Sequence, residues 1–207
     1  MQTHGGFQWE LDKWYEIPRP RRYNGGLCSN SWFHCYNHPL LAVIFNQIHA
    51  NIKNPRLFQV SVKGKKLSDN EVKFGFPYVK LIKELPLPEI TSTQKIAFGI
   101  LCSKEVHTDR KWNEWADNWL SGKDRSKAAA YAAAAADAYV PGVTYASYAA
   151  YAVAYTDVAV AYVVAAAAAA ADAAAAAAAA DAADAAGAAG AAFLDLIGLI
   201  KQAMEYK

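Results

Sequence analysis

The chain of 207 residues has little cysteine, and its three cysteines (Cys28, Cys35 and Cys102) are too few for a disulfide-based scaffold. They fit the reducing cytosol. The start of the chain lacks a charged segment followed by an apolar run, so we expect no secretory signal. The sequence also lacks a phosphate-binding glycine loop and the H-E-x-x-H and G-x-S-x-G motifs, so no familiar catalytic signature is present.

Large side chains and charges are scarce in residues 128–192, which are mostly alanine. Alanine has the highest helix propensity but buries little apolar area, so we predict helices whose backbones lie close together. Residues 158–171 lack the flanking basic clusters and tryptophans of a membrane span, and aspartate recurs too often for a lipid-facing helix. These aspartates are Asp157, Asp172, Asp181 and Asp184. We therefore expect a soluble bundle and no membrane contact.

Charge is divided unevenly along the chain. Residues 1–127 carry 19 Lys or Arg against 12 Asp or Glu, whereas residues 128–207 carry 2 against 7. This division favours either docking of one half on the other or separate partners for the two halves.

Hydrophobic patterning predicts an α+β chain with a strand-rich mixed domain at residues 1–104 and an alanine-rich helical bundle at residues 105–207. A short helix is predicted at residues 40–51. Residues 96–101 suit either another strand or the start of a connecting helix. Strands are predicted at residues 7–11, 14–17, 32–36, 57–62, 71–74 and 78–85.

Three tryptophans mark the clearest helix. Trp112, Trp115 and Trp119 are spaced to share one helical face, which we expect to be buried where the two halves meet. Thr108 or Asp109 is the predicted cap at its start. Further helices are predicted at residues 125–139 and 193–206, with breaks near residues 141, 156, 172 or 181, and 187.

Tyrosines recur along one side of the alanine-rich helices. They either fill the seam between helices or form an exposed interaction stripe. They are Tyr145, Tyr148, Tyr155 and Tyr162. We expect this bundle to be an interaction scaffold without catalytic residues, and self-association of the chain is one of its expected roles.

The segment from Cys28 to His38 holds two cysteines and two histidines, the residue types that bind zinc. On a strand, however, His34 and Cys35 point to opposite faces and do not bind one ion, so we predict no metal and no cofactor. A cysteine nucleophile is also not expected, because adjacency in sequence does not supply the geometry.

Basic and aromatic residues of the first half form a candidate binding surface for phosphates or acidic groups; the alternative is an ordinary solvated surface. A nucleotide, a nucleic acid or an acidic protein would suit it. The candidate binding residues are Arg19, Arg21, Arg22, Tyr23, Trp32, His34, Tyr36, Lys63, Lys65 and Lys66.

The order of motifs in residues 7–84 resembles an uncharacterised domain that is common in phage and prophage proteins. The resemblance depends on Trp14-Tyr15, Leu27-Cys28, Phe33-His34-Cys35, His38-Pro39-Leu40 and residues 57–62. Residues 115–126, followed by alanine repeats, resemble the helical repeats of phage-encoded immunity-like proteins. The resemblance implies a phage accessory protein in the cytoplasm of the host cell.

A second resemblance concerns the order of a strand, a glycine turn, an aromatic-histidine strand, a short helix and another strand. It is similar to the opening of ADP-ribosyltransferase-like domains, which implies a cleft for NAD lined by His34 and Tyr36.

From these observations we expect a non-enzymatic phage accessory protein that binds and neutralises a host component, in particular a component of bacterial immunity. Two alternatives stay open, namely an NAD-using transferase of the ADP-ribosyltransferase type and a structural protein of the virion or its assembly.

Overall fold

The computed structural model describes residues 7–18, 26–69, 73–137, 170 and 194–207. The strands are β1 (Trp14–Glu16), β2 (Phe33–Cys35), β3 (Leu57–Lys63), β4 (Leu67–Asp69), β5 (Lys73–Phe76) and β6 (Tyr78–Leu85). The helices are α1 (Pro39–His49), α2 (Ser92–Val106), α3 (Arg110–Leu120), α4 (Lys127–Asp137) and α5 (Leu196–Ala203). A strand-rich region thus precedes several helices, which confirms the predicted α+β class.

The chain divides into two compact units, Met1–Glu89 and Ile90–Lys207. This division lies earlier than the predicted boundary after residue 104, because residues 96–101 form the buried middle of α2. That helix packs against α3 and α5 and so belongs to the second unit. Of the two alternatives left open for residues 96–101, the structure has the helix.

The first unit contains two antiparallel sheets, with strand orders β1-β6-β3 and β2-β5-β4. In the first of these sheets, Val60 pairs with Leu81 and Val62 with Val79, so these side chains share one face. Val79 and Leu81 are buried, whereas residues one step along, such as Lys63, are exposed. The period-two pattern of this segment therefore separates an apolar face from a polar face.

Residues 7–11 do not form the predicted strand. Only isolated bridges occur there, such as the one between Leu11 and Leu81, and Asp12 adopts a positive φ of 57° that turns the chain before β1. The Phe7 ring instead packs against the rings of Trp9 and Tyr15, with centroid distances of 4.7 and 5.2 Å. The apolar residues of this segment thus form an aromatic cluster. The sequence analysis also missed the short strand β4.

In the second unit, side-chain caps define where the helices start. Asp109 accepts a hydrogen bond from the backbone N–H of Trp112 at 2.8 Å, which identifies Asp109 as the cap of α3. The three tryptophans are all buried, as their spacing predicts, and the Trp112 and Trp115 rings lie 5.4 Å apart. Trp112 also contacts the His107 ring at 4.9 Å, so its ring neighbours belong to this unit.

Predictions for residues 138–169 and 171–193, including the helix breaks and the aspartates, lie outside the described residues. The helix predicted at residues 125–139 is observed as α4. The last helix is shorter than predicted, because Asp195 caps α5 by accepting from the N–H of Gly198. Within the described part of the chain, no helix has both the length and the apolar character needed to cross a membrane.

Candidate ligand-binding cleft

Three adjoining cavities in the first unit form the candidate site, which we call the His34 cleft. Their volumes are about 240, 240 and 450 Å³, and His34 lines all of them. The walls come from β2, β3, β6 and α1, so both sheets and the helix contribute side chains. Among the described residues that line the cleft there is no aspartate or glutamate.

His34 lies at the mouth of the cleft, in the middle of β2. The residue is exposed overall, but its Nε2 is 2.5 Å from the backbone carbonyl of Leu27 in a partly buried position. Because a carbonyl only accepts, Nε2 carries the proton and donates it. Partial burial of the ring lowers the pKa of His34, and the nearby positive charge of Lys73 lowers it further. The hydrogen bond to the Leu27 carbonyl acts in the opposite direction and raises this pKa. His34 is therefore a neutral ring at physiological pH.

Strand register places Lys73 on the same face of the sheet as His34. His34 pairs with Gly75, and side chains two residues apart on a strand point the same way. Lys73 is only 4% exposed, and its ammonium donates to the Cys28 sulfur at 3.4 Å. A buried positive charge therefore lines the cleft beside a neutral imidazole.

A second pair of polar groups, one directly after β2 and one in α1, lines the same cavity as Lys73. The Tyr36 hydroxyl and the Nδ1 of His49 are 2.5 Å apart and share a hydrogen bond. The Phe45 ring stacks on the His49 ring with centroids 5.3 Å apart. His49 occupies the last turn of α1, where the helix dipole favours a polar or positive group.

The two cysteines near the cleft have different surroundings. Burial raises the pKa of the Cys35 thiol to about 12, so very little thiolate forms near neutral pH. Cys28 is exposed and lies against Lys73. In the residues that the structure describes, no group of three His, Cys, Asp or Glu side chains is placed to hold a metal ion.

The outer face of the first sheet carries a separate basic and aromatic surface, which we call the Trp14 face and define by Trp14, Lys63 and Lys80. Trp14 pairs with Lys80, and Lys80 pairs with Ser61 on the next strand. Lys63 is two residues after Ser61, so the side chains of Trp14, Lys80 and Lys63 point to the same side of the sheet. The ammonium groups of Lys63 and Lys80 lie 3.8 and 5.8 Å from the centre of the Trp14 ring. Trp14 is 38% exposed and Lys63 is exposed, so the ring and this charge are open to a partner, whereas Lys80 lies 3.6 Å from Asp12.

The predicted binding residues have different positions in the structure. His34 and Tyr36 line the cleft, Lys63 belongs to the Trp14 face, and Lys66 lies over the Phe74 ring at 4.1 Å. Lys65 is exposed in the turn between β3 and β4. Trp32 is in the core, where it packs beside Gly75, and therefore presents no ring to a ligand. Outside the described residues lie Arg19, Arg21, Arg22, Tyr23, Tyr145, Tyr148, Tyr155 and Tyr162.

The sequence analysis missed several residues of these surfaces, among them Lys80 of the Trp14 face. Lys73 and Arg56 line the cleft, and Trp14 is the centre of the basic face. A lysine at the start of a strand carries no local signal of burial, because its exposure depends on the neighbouring strands. Neighbouring strand residues point to opposite faces, and Tyr15 pairs with the buried Val79. Once this pairing is known, Trp14 is expected on the exposed face.

In the comparison with known protein families, the match lies in the first part of the chain. Residues 1–93 match a domain of unknown function (DUF7666), which agrees with the predicted resemblance to an uncharacterised domain. The match covers the two sheets, α1 and the whole of the His34 cleft. No curated protein and no solved structure matches the chain. The phage origin implied by the resemblance stays a prediction.

Proposed function

We propose that this protein is a non-enzymatic phage accessory protein that binds and neutralises a component of its bacterial host, as an inhibitor of host defence. The observation that carries the binding role is the Trp14 face, with a partly exposed indole between two ammonium groups. Tryptophan is among the residue types that contribute most binding energy at protein interfaces, and cation–π contacts with the two lysines hold its ring in place.

Electrostatics favour an acidic partner for this face. The Lys63 and Lys80 ammonium groups both lie over one ring, and Lys65 adds a third positive charge in the adjoining turn. Asp12 lies 3.6 Å from Lys80 and offsets part of this charge. An acidic protein surface would gain ion pairs with the lysines and apolar contact with the ring.

The test is capture of host proteins from a bacterial lysate by the full chain and by a Trp14→Ala/Lys63→Glu variant. A Lys123→Glu variant is the matched control, because Lys123 is exposed in the second unit. We expect the wild type and the control to retain the same host component and the double variant to lose it. Equal capture by the double variant would remove the Trp14 face from the proposal.

An NAD-using transferase is the second candidate, favoured by one observation: His34 and Tyr36 line the same cavity, next to the buried Lys73. Incubation of the purified chain with NAD and lysate separates the two candidates. Release of nicotinamide or transfer of label to a lysate protein would support the enzyme, and its absence together with specific capture would support the binder. The virion alternative depends on the alanine-rich segment, most of which lies outside the described residues.

A further inference from the structure

The burial of Lys73 demands compensation. An ammonium group removed from water is costly unless it is paired or hydrogen-bonded, and a neutral thiol is a weak acceptor. The structure gives Lys73 the Cys28 sulfur at 3.4 Å, and among the described residues it gives no carboxylate partner. A buried charge of this kind is kept where a negative group binds it.

The surroundings of Lys73 have the chemistry of an anion site. Arg56, Asn46 and the Tyr36–His49 pair line the same cavity. All four are side chains that carry N–H or O–H groups, the chemistry that an anion requires. Arg56 is also held by Glu84, which accepts from its Nε at 2.7 Å, so its guanidinium is fixed at the rim. The described lining residues include no aspartate or glutamate. Glu84 offsets the charge of Arg56, so Lys73 is the lining cation that has no carboxylate partner among the described residues.

The neighbouring cavity has a different lining. The rings of Trp9, Phe33 and Phe58 face it, together with buried aliphatic residues of β6. Flat apolar rings are stabilised by such aromatic walls through offset or edge contacts. His34, Ile52 and Arg56 line both cavities, and β2 is an edge strand of its sheet. A molecule that passes this edge would therefore reach the cationic part and the aromatic part together.

We propose that the His34 cleft binds a small organic anion that sets its negative group against Lys73 and its flat ring among Trp9, Phe33 and Phe58. The cavity lined by Lys73 and the cavity lined by the three rings each have a volume of about 240 Å³, which together suit a ligand of this size. This site is separate from the Trp14 face, and a purified chain suffices to test it.

The probe is anilinonaphthalene sulfonate, an aromatic anion whose fluorescence rises on binding, compared with uncharged phenylnaphthylamine. We expect the wild type to bind the anion with a dissociation constant about tenfold or more below that of the neutral probe. Lys73→Met should weaken binding of the anion by about tenfold and leave the neutral probe within about twofold. Lys83→Met is the control, because Lys83 is an exposed lysine of the same unit, and it should change neither value.

A second variant keeps the proposal testable if Lys73→Met does not fold. Ala42 lines two of the three cavities from α1, and Ala42→Leu adds volume there without removing charge or helix propensity. It should weaken binding of the anion at unchanged melting temperature. Equal binding of the two probes by the wild type, or full binding of the anion by Ala42→Leu, would overturn the proposal. If the chain binds the probe but captures no host component, the proposed function is contradicted and the proposed ligand site is not.

Discussion

The two units use large side chains in opposite ways. In the described part of the second unit, the three tryptophans of α3 are buried, and only Tyr131 is a large exposed apolar residue. The first unit leaves Phe7, Trp14 and Leu87 exposed and encloses cavities between its sheets and α1. Close packing indicates a structural role, whereas open volume and exposed rings indicate recognition. Among the described residues, this contrast favours the first unit as the location of the proposed binding.

The largest expected effect is on the stability of the second unit. Trp112 is 1% exposed and contacts the rings of His107 and Trp115. Trp112→Ala should reduce the free energy of unfolding by about 3–5 kcal/mol, because it removes a large buried ring and leaves a cavity. Trp14→Ala in the first unit should cost less than about 1 kcal/mol. Chemical denaturation measures both, and similar losses would contradict the contrast between the units.

The next effect concerns thiol reactivity. Raising the pKa of Cys35 from 9.0 to about 12 lowers its thiolate fraction about a thousandfold. Burial also raises the pKa of Cys102, whereas Cys28 is exposed. We expect a maleimide to modify Cys28 in the native protein and to reach the other two only after unfolding. Mass spectrometry of digested protein checks this, and rapid native labelling of Cys35 would show that its burial is transient.

Local sequence patterns predicted α3 of the second unit better than the cleft of the first unit. The spacing of the tryptophans and the cap at Asp109 are determined within one helix, and both are observed in α3. The cleft depends instead on which strands pair and in what register, as in the pairing of His34 with Gly75 across β2 and β5. Register is a long-range property, and a shift by one residue moves every side chain to the other face. Sequence patterns alone therefore did not reveal Lys73.

Gly75 tests how tightly the first unit is packed beside its cavities. A Cβ atom at this position would collide with the Leu27 side chain and lie 3.0 Å from the Cβ of Trp32. Gly75→Ala should therefore destabilise the protein by about 1–3 kcal/mol through overpacking. Gly26→Ala is the matched control, because nothing lies within 4 Å of a Cβ there. A neutral Gly75→Ala would mean that the Leu27 side chain moves aside at little cost, and then the first unit would be packed loosely beside its cavities.

The smallest effect is the pH dependence that His34 contributes to stability. Its pKa is lower in the folded protein than the ordinary value of 6.5, because of burial of the ring and the nearby charge of Lys73. Protonation is thus easier in the unfolded chain, so this contribution is complete above 6.5 and is lost as the pH falls towards the folded pKa. His34→Gln keeps an N–H for the Leu27 carbonyl but removes the titration. Between about pH 7.5 and about pH 5, the wild type should lose more stability than this variant in chemical denaturation.

The other histidines are common to both proteins, so their effects cancel in the difference. An equal loss in both proteins would show that the His34 ring is as well solvated as in the unfolded chain, and Lys73 would then be too distant to act with it on one ligand.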